Sequence, residues 1–395
     1  MGSELKRQRI LSIIRGTELF GSERANLEVL RALQSRGAEI HVAVSGRSKG
    51  GGAVGERARE LGFSTFEAPF GSHFARQWML HDKAYRNRQL KRIWTNSRLL
   101  SQKIKEIQPT VLMFSTVLSF MFCGLATILN RTPLIYRIGD APPVKSKFQM
   151  IFWKWLVRRA NHVVCVSDFI RKEVLEHSRK SQHNVTRIYN VPISRAGDPN
   201  SEQISQLRAS KRPLQFVYVG QINPAKGIIE LLDAAIQIND ALVGLWVVGG
   251  GGHNDALLAE LKEKTMQSKT QTCIKFFGFQ ADPRPYYMAA DWHIAPSVYH
   301  EPMANTTFEA KAAGIPSIVS NRGGFPEVIR HQIDGFILED PVNEHAIIRS
   351  FRWASDLTKK QHTEMKEDAL ATIQKNFNLT QFTHDWVHVV QSTSR

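Results

Sequence analysis

The sequence predicts an α/β chain of two Rossmann-like, doubly wound parallel-sheet domains. Three observations carry that expectation. Short apolar runs alternate with helix-patterned stretches along all 395 residues, as in strand–helix–strand units. The runs fall into two sets of five. A polar stretch, residues 194–212, separates the sets. The reading is an N-terminal domain over 1–195, a linker over 196–212, a second domain over 213–376 and a last helix over 377–395. A chain of this length lets each domain bury a core without staples.

In the first half the expected strands are 10–14, 39–44, 111–114, 134–136 and 162–166; in the second they are 214–219, 242–248, 272–277, 293–295 and 317–319. One segment admits another interpretation. Residues 111–129 carry no charge and are almost long enough to span a bilayer. Hydroxyls and one glycine dilute the run, and a buried strand, a Ser-Thr turn and a buried helix are expected instead.

Cys123, Cys165 and Cys273 are far apart and lack metal-ligand spacing, which reads as buried thiols in a reducing compartment. The start of the chain is polar, without the apolar core of a signal peptide. The cytoplasm is therefore the expected location, with peripheral contact at the inner face of the cell membrane.

That contact is suggested by charge. The net charge of +16 is uneven: residues 1–200 hold 33 Lys+Arg and 15 Asp+Glu, the rest 19 and 21. Residues 74–105 interleave nine Lys/Arg with Phe74, Trp78, Tyr85 and Trp94; residues 145–159 place Lys145, Lys147, Lys154, Arg158 and Arg159 beside Phe148, Phe152, Trp153 and Trp155. Basic, aromatic helices suit an anionic membrane surface. The same pattern also fits a solvated face over a core. Single-stranded nucleic acid uses a similar mixture, but no nucleic-acid motif accompanies it.

The most informative stretch runs from Glu301 to Glu309, Glu-Pro-Met-Ala-Asn-Thr-Thr-Phe-Glu. It predicts a helix over 305–313 with Asn305 or Thr306 as its cap and Gly314 past its end. Free N–H groups and the helix dipole there would seat a phosphate. Glu309, a turn in, could accept hydrogen bonds from ribose hydroxyls; the spacing alone equally suits an ordinary capped helix whose two glutamates are solvated.

Around this run stand Tyr286-Tyr287-Met288-Ala289-Ala290-Asp291 before it and Asn321-Arg322-Gly323-Gly324-Phe325-Pro326-Glu327 after it. Upstream lie Val219-Gly220-Gln221 with Lys226-Gly227, and then Gly249 to Gly252. In this order the motifs resemble the C-terminal domain of the retaining family-4 glycosyltransferases (glycosyl transferases group 1) of the GT-B fold, two domains facing a cleft. The strongest matches span 214–339. Weaker ones, at Gly21-Ser22-Glu23-Arg24, Val166-Ser167 and Tyr189-Asn190-Val191-Pro192, extend it over nearly the whole chain, and the resemblance implies that the helix over 377–395 crosses back to the first domain.

The resemblance implies a metal-independent hexosyltransferase without cofactor. It would move a sugar from a nucleotide diphosphate, UDP preferred, to a saccharide or lipid-linked acceptor in cell-surface polysaccharide assembly. Configuration would be retained without a protein nucleophile, the donor phosphate itself helping to deprotonate the acceptor. Lys226 would neutralise the diphosphate, and Glu301 would face the sugar hydroxyls. Asn305, Thr306 and Thr307 would receive the phosphates and Glu309 the ribose, with Gly250 and Phe279 by the nucleobase. Phe279 equally suits core packing. Gly16 and Gly21-Ser22 would form a loop that meets the phosphates or serves as a plain turn.

The chain departs from the family in three places. Gln221 replaces the usual arginine, and it donates hydrogen bonds but carries no charge. Met303-Ala304 replaces Phe-Gly. Arg137 and Asp140 stand where a histidine is common, as substitutes contacting a phosphate or a hydroxyl. These departures leave two rivals open: a GT-B nucleotide-sugar epimerase, and a membrane-bound partner that has lost turnover.

Overall fold

The computed structural model describes residues 4–70, 83–144, 146–193, 197–250 and 255–394. Phe74, Trp78, Lys145, Gly251, Gly252 and residues 194–196, singled out above, lie outside the described residues. The chain forms two compact units, Met1–Asn190 with Leu379–Arg395, and Val191–Asn378.

The first unit holds seven parallel strands: β1 (Arg9–Ile13), β2 (Glu39–Ser45), β3 (Ser64–Ala68), β4 (Val111–Phe114), β5 (Leu134–Ile138), β6 (His162–Cys165) and β7 (Val185–Arg187). Their order is β3-β2-β1-β4-β5-β6-β7. All four residues of β4 and all five of β5 are buried, as sheets covered by helices on both faces require. The apolar segment after β4 is the helix Val117–Asn130, begun where Thr116 Oγ1 accepts the Ser119 N–H at 3.2 Å. The expected strand, Ser-Thr turn and helix are therefore present. Among the described residues no helix is long and apolar enough to cross a membrane. The C-terminal helix Leu379–Thr393 packs on Gly21–Gln34, and Gln8 Nε2 donates to Ser394 Oγ at 2.9 Å.

The second unit holds β8 (Leu214–Val219), β9 (Val243–Val248), β10 (Cys273–Gly278), β11 (Trp292–Ala295), β12 (Ser317–Ser320) and β13 (Gly335–Leu338). These are also parallel, in the order β10-β9-β8-β11-β12-β13. Alternate residues feed two cores. Phe216, Leu245 and Val247 pack on one face with Leu231, Ile347 and Phe351. Val217, Trp246 and Val248 pack on the other with Leu207, Tyr286 and Tyr287. Residues 197–212 carry the helix Ser201–Ser210, capped by Asn200, and Gln203 Nε2 donates to Tyr286 Oη at 3.2 Å. The stretch read as a linker is thus built into the second unit.

Each sheet reverses its winding once, between β1 and β4 and between β8 and β11. Such switch points leave a crevice at the carboxyl ends of the strands. All three cysteines are free thiols; Cys123 and Cys165 are buried and Cys273 is partly exposed.

Candidate functional site

The two strands flanking the switch point of the second unit supply the central pair. After β8 the chain enters a short turn, Pro224–Lys226, set by Asn223 Oδ1 accepting the Ala225 N–H at 2.9 Å. The turn ends on Gly227 at φ +71°, where a Cβ would collide with the Pro296 carbonyl oxygen. After β11 the loop delivers Glu301, 7% exposed. Lys226 Nζ lies 2.6 Å from Glu301 Oε2, and Ser297 Oγ donates to the same oxygen at 3.4 Å. The Gly324 N–H caps the Glu301 carbonyl at 2.8 Å. This approach is possible because Gly323, at φ +62°, has no side chain to strike the Glu301 backbone. Burial and the Glu301 charge push the Tyr218 hydroxyl pKa up, so Tyr218 stays protonated and donates to the Gln221 carbonyl at 2.6 Å.

The helix that follows is Asn305–Ala312. The expected cap is corrected: Ala304 occupies the N-cap position and has no side-chain acceptor, while Asn305 and Thr306 lie inside the first turn. The methyl group leaves the N-terminal donors without a competing side-chain oxygen at that position. Thr307 Oγ1 is buried without a partner. Glu309 is partly exposed and accepts from Tyr287 Oη at 3.3 Å. Gly314 follows the helix at φ +72°, as expected. Beneath the helix, Lys311 and Asp334 are both fully buried and paired at 2.8 Å. This pair fixes the helix to the loop before β13.

The remaining expected residues are placed as follows. Gln221 is exposed. Gly250 lies beside Phe279, a Cβ on it falling 3.5 Å from the Phe279 Cβ. Phe279 itself is 65% exposed, whereas Phe277 packs edge-on to Tyr286 at 4.8 Å. Core packing therefore falls to Phe277. In the first unit, Gly21 and Ser22 are not a loop but the first residues of the helix Gly21–Gln34, whose N-cap residue is Phe20. Ser22 Oγ donates to Glu23 Oε2 at 2.6 Å. Arg137 is 4% exposed on β5, and its guanidinium donates to Asn26 Oδ1 at 2.9 Å and Asn190 Oδ1 at 2.7 Å. Burial pulls its pKa down to about 10, against the pull of Asp140, which leaves it charged at neutral pH. Asp140 is exposed.

Sequence reasoning missed Tyr299. Its ring centroid lies 5.0 Å from Lys226 Nζ and its hydroxyl 3.2 Å away. A lone tyrosine in a loop gives no signal. The anchoring role of Tyr287 was equally hidden, since it passed as part of a motif. Among the described residues no group of three or more His, Cys, Asp or Glu converges as a metal site.

The surface of the first unit is also redistributed. Trp153 is buried and Trp155 packs edge-on to Phe120 at 4.8 Å. Trp94 stays open, with Arg98 5.4 Å from its centroid. Leu129 and Ile151 are exposed as well.

The arrangement offers one cation, one buried carboxylate, a helix N-terminus and a second carboxylate, all on the second unit. It can hold an anionic phosphate beside a polyhydroxylated group. Two family descriptions match the chain: "Glycosyl transferases group 1" over residues 199–371 and "Glycosyltransferase Family 4" over residues 21–191. A lipopolysaccharide core biosynthesis glycosyltransferase of Rhizobium meliloti, LpsD, is 24% identical over 347 residues, 87% of this chain and 88% of that one. The lipopolysaccharide 1,2-N-acetylglucosaminetransferase of Salmonella typhimurium is 27% identical over 201 residues, 49% of this chain and 50% of that one. In fold the chain is similar to Anabaena HepE in complex with UDP and glucose (TM-score 0.80, 18% identity, 98% of this chain and 100% of that one). It is also similar to the sucrose-phosphate synthase of Thermosynechococcus elongatus (TM-score 0.77, 17% identity, 98% and 99%).

Proposed function

Because the chain is a family-4, group 1 glycosyltransferase of GT-B fold, we propose that it is a retaining, metal-independent hexosyltransferase. It takes a UDP-sugar and passes the sugar to a saccharide or lipid-linked acceptor in cell-surface glycan assembly. The observation that carries this reading is the Lys226–Glu301 pair at the switch point, with the helix Asn305–Ala312 and Glu309 following on the same unit. The names of the relatives from Rhizobium meliloti and Salmonella typhimurium favour lipopolysaccharide-type acceptors, and the UDP-bound Anabaena structure favours UDP.

In this reading Lys226 turns from Glu301 to the donor diphosphate and stabilises the charge that grows on it as the sugar leaves. Glu301 then accepts from sugar hydroxyls. Glu309, steadied by Tyr287, accepts from the ribose. Peripheral membrane contact is supported by Leu90, Trp94, Leu129 and Ile151, which are exposed on helices Lys83–Ile107, Val117–Asn130 and Lys147–Arg159. These helices pack in sequence against one another, and Lys91, Arg92 and Lys154 stand among them.

Thermal shift with UDP, GDP, ADP and dTDP, with and without EDTA, tests the proposal. A ligand bound only to the folded state raises the melting temperature by mass action. UDP is expected to stabilise selectively, with EDTA making no difference. No shift with any nucleotide would move the assignment to a non-catalytic partner. Glu309→Ala is expected to weaken UDP binding roughly ten- to a hundredfold, in line with roughly 1.5–3 kcal/mol for a hydrogen bond to a charged group, as read by calorimetry.

A further inference from the structure

At the edge of the first unit formed by the start of β6, β7 and the end of the helix Leu379–Thr393 lies a cavity of about 650 Å³. Arg158, Arg159, His162, Lys180, His183 and His388 line it, and among the described residues no carboxylate does. Part of this charge is already used. Arg159 Nη2 donates to the carbonyls of Thr127 at 2.8 Å and Thr132 at 2.9 Å, and Lys180 Nζ donates to that of Ala160. His162 Nε2 is 2.7 Å from Thr186 Oγ1. Arg158, His183 and His388 are exposed at the rim. A basic last turn is ordinary compensation for a helix dipole; Arg159 caps the neighbouring helix end, and Arg158 is exposed between this cavity and a second one that Glu176 lines.

Two further observations point to a ligand. Thr393 lines the same cavity at 7% exposure, and its Oγ1 is buried without a hydrogen-bond partner. Buried hydroxyls rarely go unpaired, since each costs about 1–3 kcal/mol. The pKa of His162 is pulled down to about 4, by burial and then by His388 and Lys180. The cavity thus gathers like charges at a cost that an anion would relieve. It lies at the amino ends of β6 and β7, whereas Lys226 and Glu301 follow the carboxyl ends of strands in the other unit.

We propose that this cavity binds a phosphate group, carried either by a soluble phosphate ester or by a phospholipid headgroup, separately from the donor site. The phosphate oxygens would accept from Arg158, Lys180 and His388, and from the Thr393 hydroxyl at the floor.

The test is calorimetric titration of the full chain with inorganic pyrophosphate at low ionic strength, comparing wild type, Lys226→Ala and Arg158→Gln/His388→Gln. The double substitution touches exposed side chains, so folding is preserved, and Thr393→Val checks the floor. A site that survives Lys226→Ala, weakens at least tenfold in the double variant and weakens in Thr393→Val is expected. The proposal is overturned if pyrophosphate does not bind, if Lys226→Ala alone abolishes binding, or if the double variant binds as wild type. Sedimentation with phosphatidylcholine vesicles, with and without phosphatidic acid, then separates the sources. If the double variant loses the phosphatidic acid-dependent fraction, the site takes a lipid headgroup; if that fraction is kept while pyrophosphate binding is lost, it takes a soluble phosphate.

Discussion

Replacing Lys226 with alanine is expected to lower sugar transfer by about two to three orders of magnitude, the size seen when one preorganised charge-stabilising donor is removed. Lys226 is held 2.6 Å from Glu301 and beside the Tyr299 ring, so it rests at the site before any donor arrives and has only to turn toward the diphosphate. Its removal takes away the one cation that, among the described residues, pairs with this carboxylate of 7% exposure, and leaves Glu301 with the 3.4 Å contact from Ser297. In the proposed role the loss should fall chiefly on kcat, because the charge Lys226 would meet is largest as the diphosphate departs. Lys226→Arg is expected to recover part of the rate, and Lys226→Met none. Steady-state rates with a UDP-sugar and acceptor decide the matter: wild-type turnover in Lys226→Ala would remove this residue from the chemistry.

Asp334→Asn is expected to destabilise the second unit by about 3–5 kcal/mol, the usual loss when one partner of a buried ion pair is removed. Lys311 would keep a fully buried ammonium without its anion. Arg330 Nε, at 2.8 Å, and Thr372 Oγ1, at 2.9 Å, would lose the same acceptor. Replacing both partners with apolar residues, Lys311→Met/Asp334→Leu, should restore part of the loss, since no charge is then left unpaired. The pH dependence has a definite sign. Burial alone would raise the Asp334 carboxyl pKa, but Lys311 and Arg330 outweigh it and hold it below the ordinary range. Its contribution is therefore complete above the unfolded value of about 4 and fades as pH falls through the lower folded value. Urea unfolding between pH 7 and pH 3, followed by tryptophan fluorescence, should show wild type losing stability in that window and Asp334→Asn changing less.

Central strands were legible in the sequence, and of the four edge strands only β10 was. β4 and β8 are apolar runs because neighbours and helices cover both faces, and their bounds agree with expectation. β3, β7 and β13 were missed, and all three stand at sheet edges. An edge strand pairs on one side only and tolerates residues such as Glu67, Thr186 and the leading Gly335, which blur the apolar signal. At the site, Lys226, Glu301 and Glu309 could be named because ordered motifs surround them. Ala304 as the helix start could not, since alanine is a poor cap and Asn305 next to it is a good one. Gly21-Ser22 looked like a loop for the same reason, and Phe20 gave no hint of a helix start. Arg137 drew attention through its charge, whereas its place in the middle of β5 commits it to Asn26 and Asn190.

The grouping of Leu379–Arg395 with Met1–Asn190 makes the second unit, in topological terms, an insertion within a discontinuous first one. Trp386 and Val390, 1% and 0% exposed, reach the first unit only after the whole second unit has been synthesised. The unit that is begun first is thus the one whose sequence is completed second, while the inserted unit is one continuous segment. Chain order and order of completion run in opposite directions.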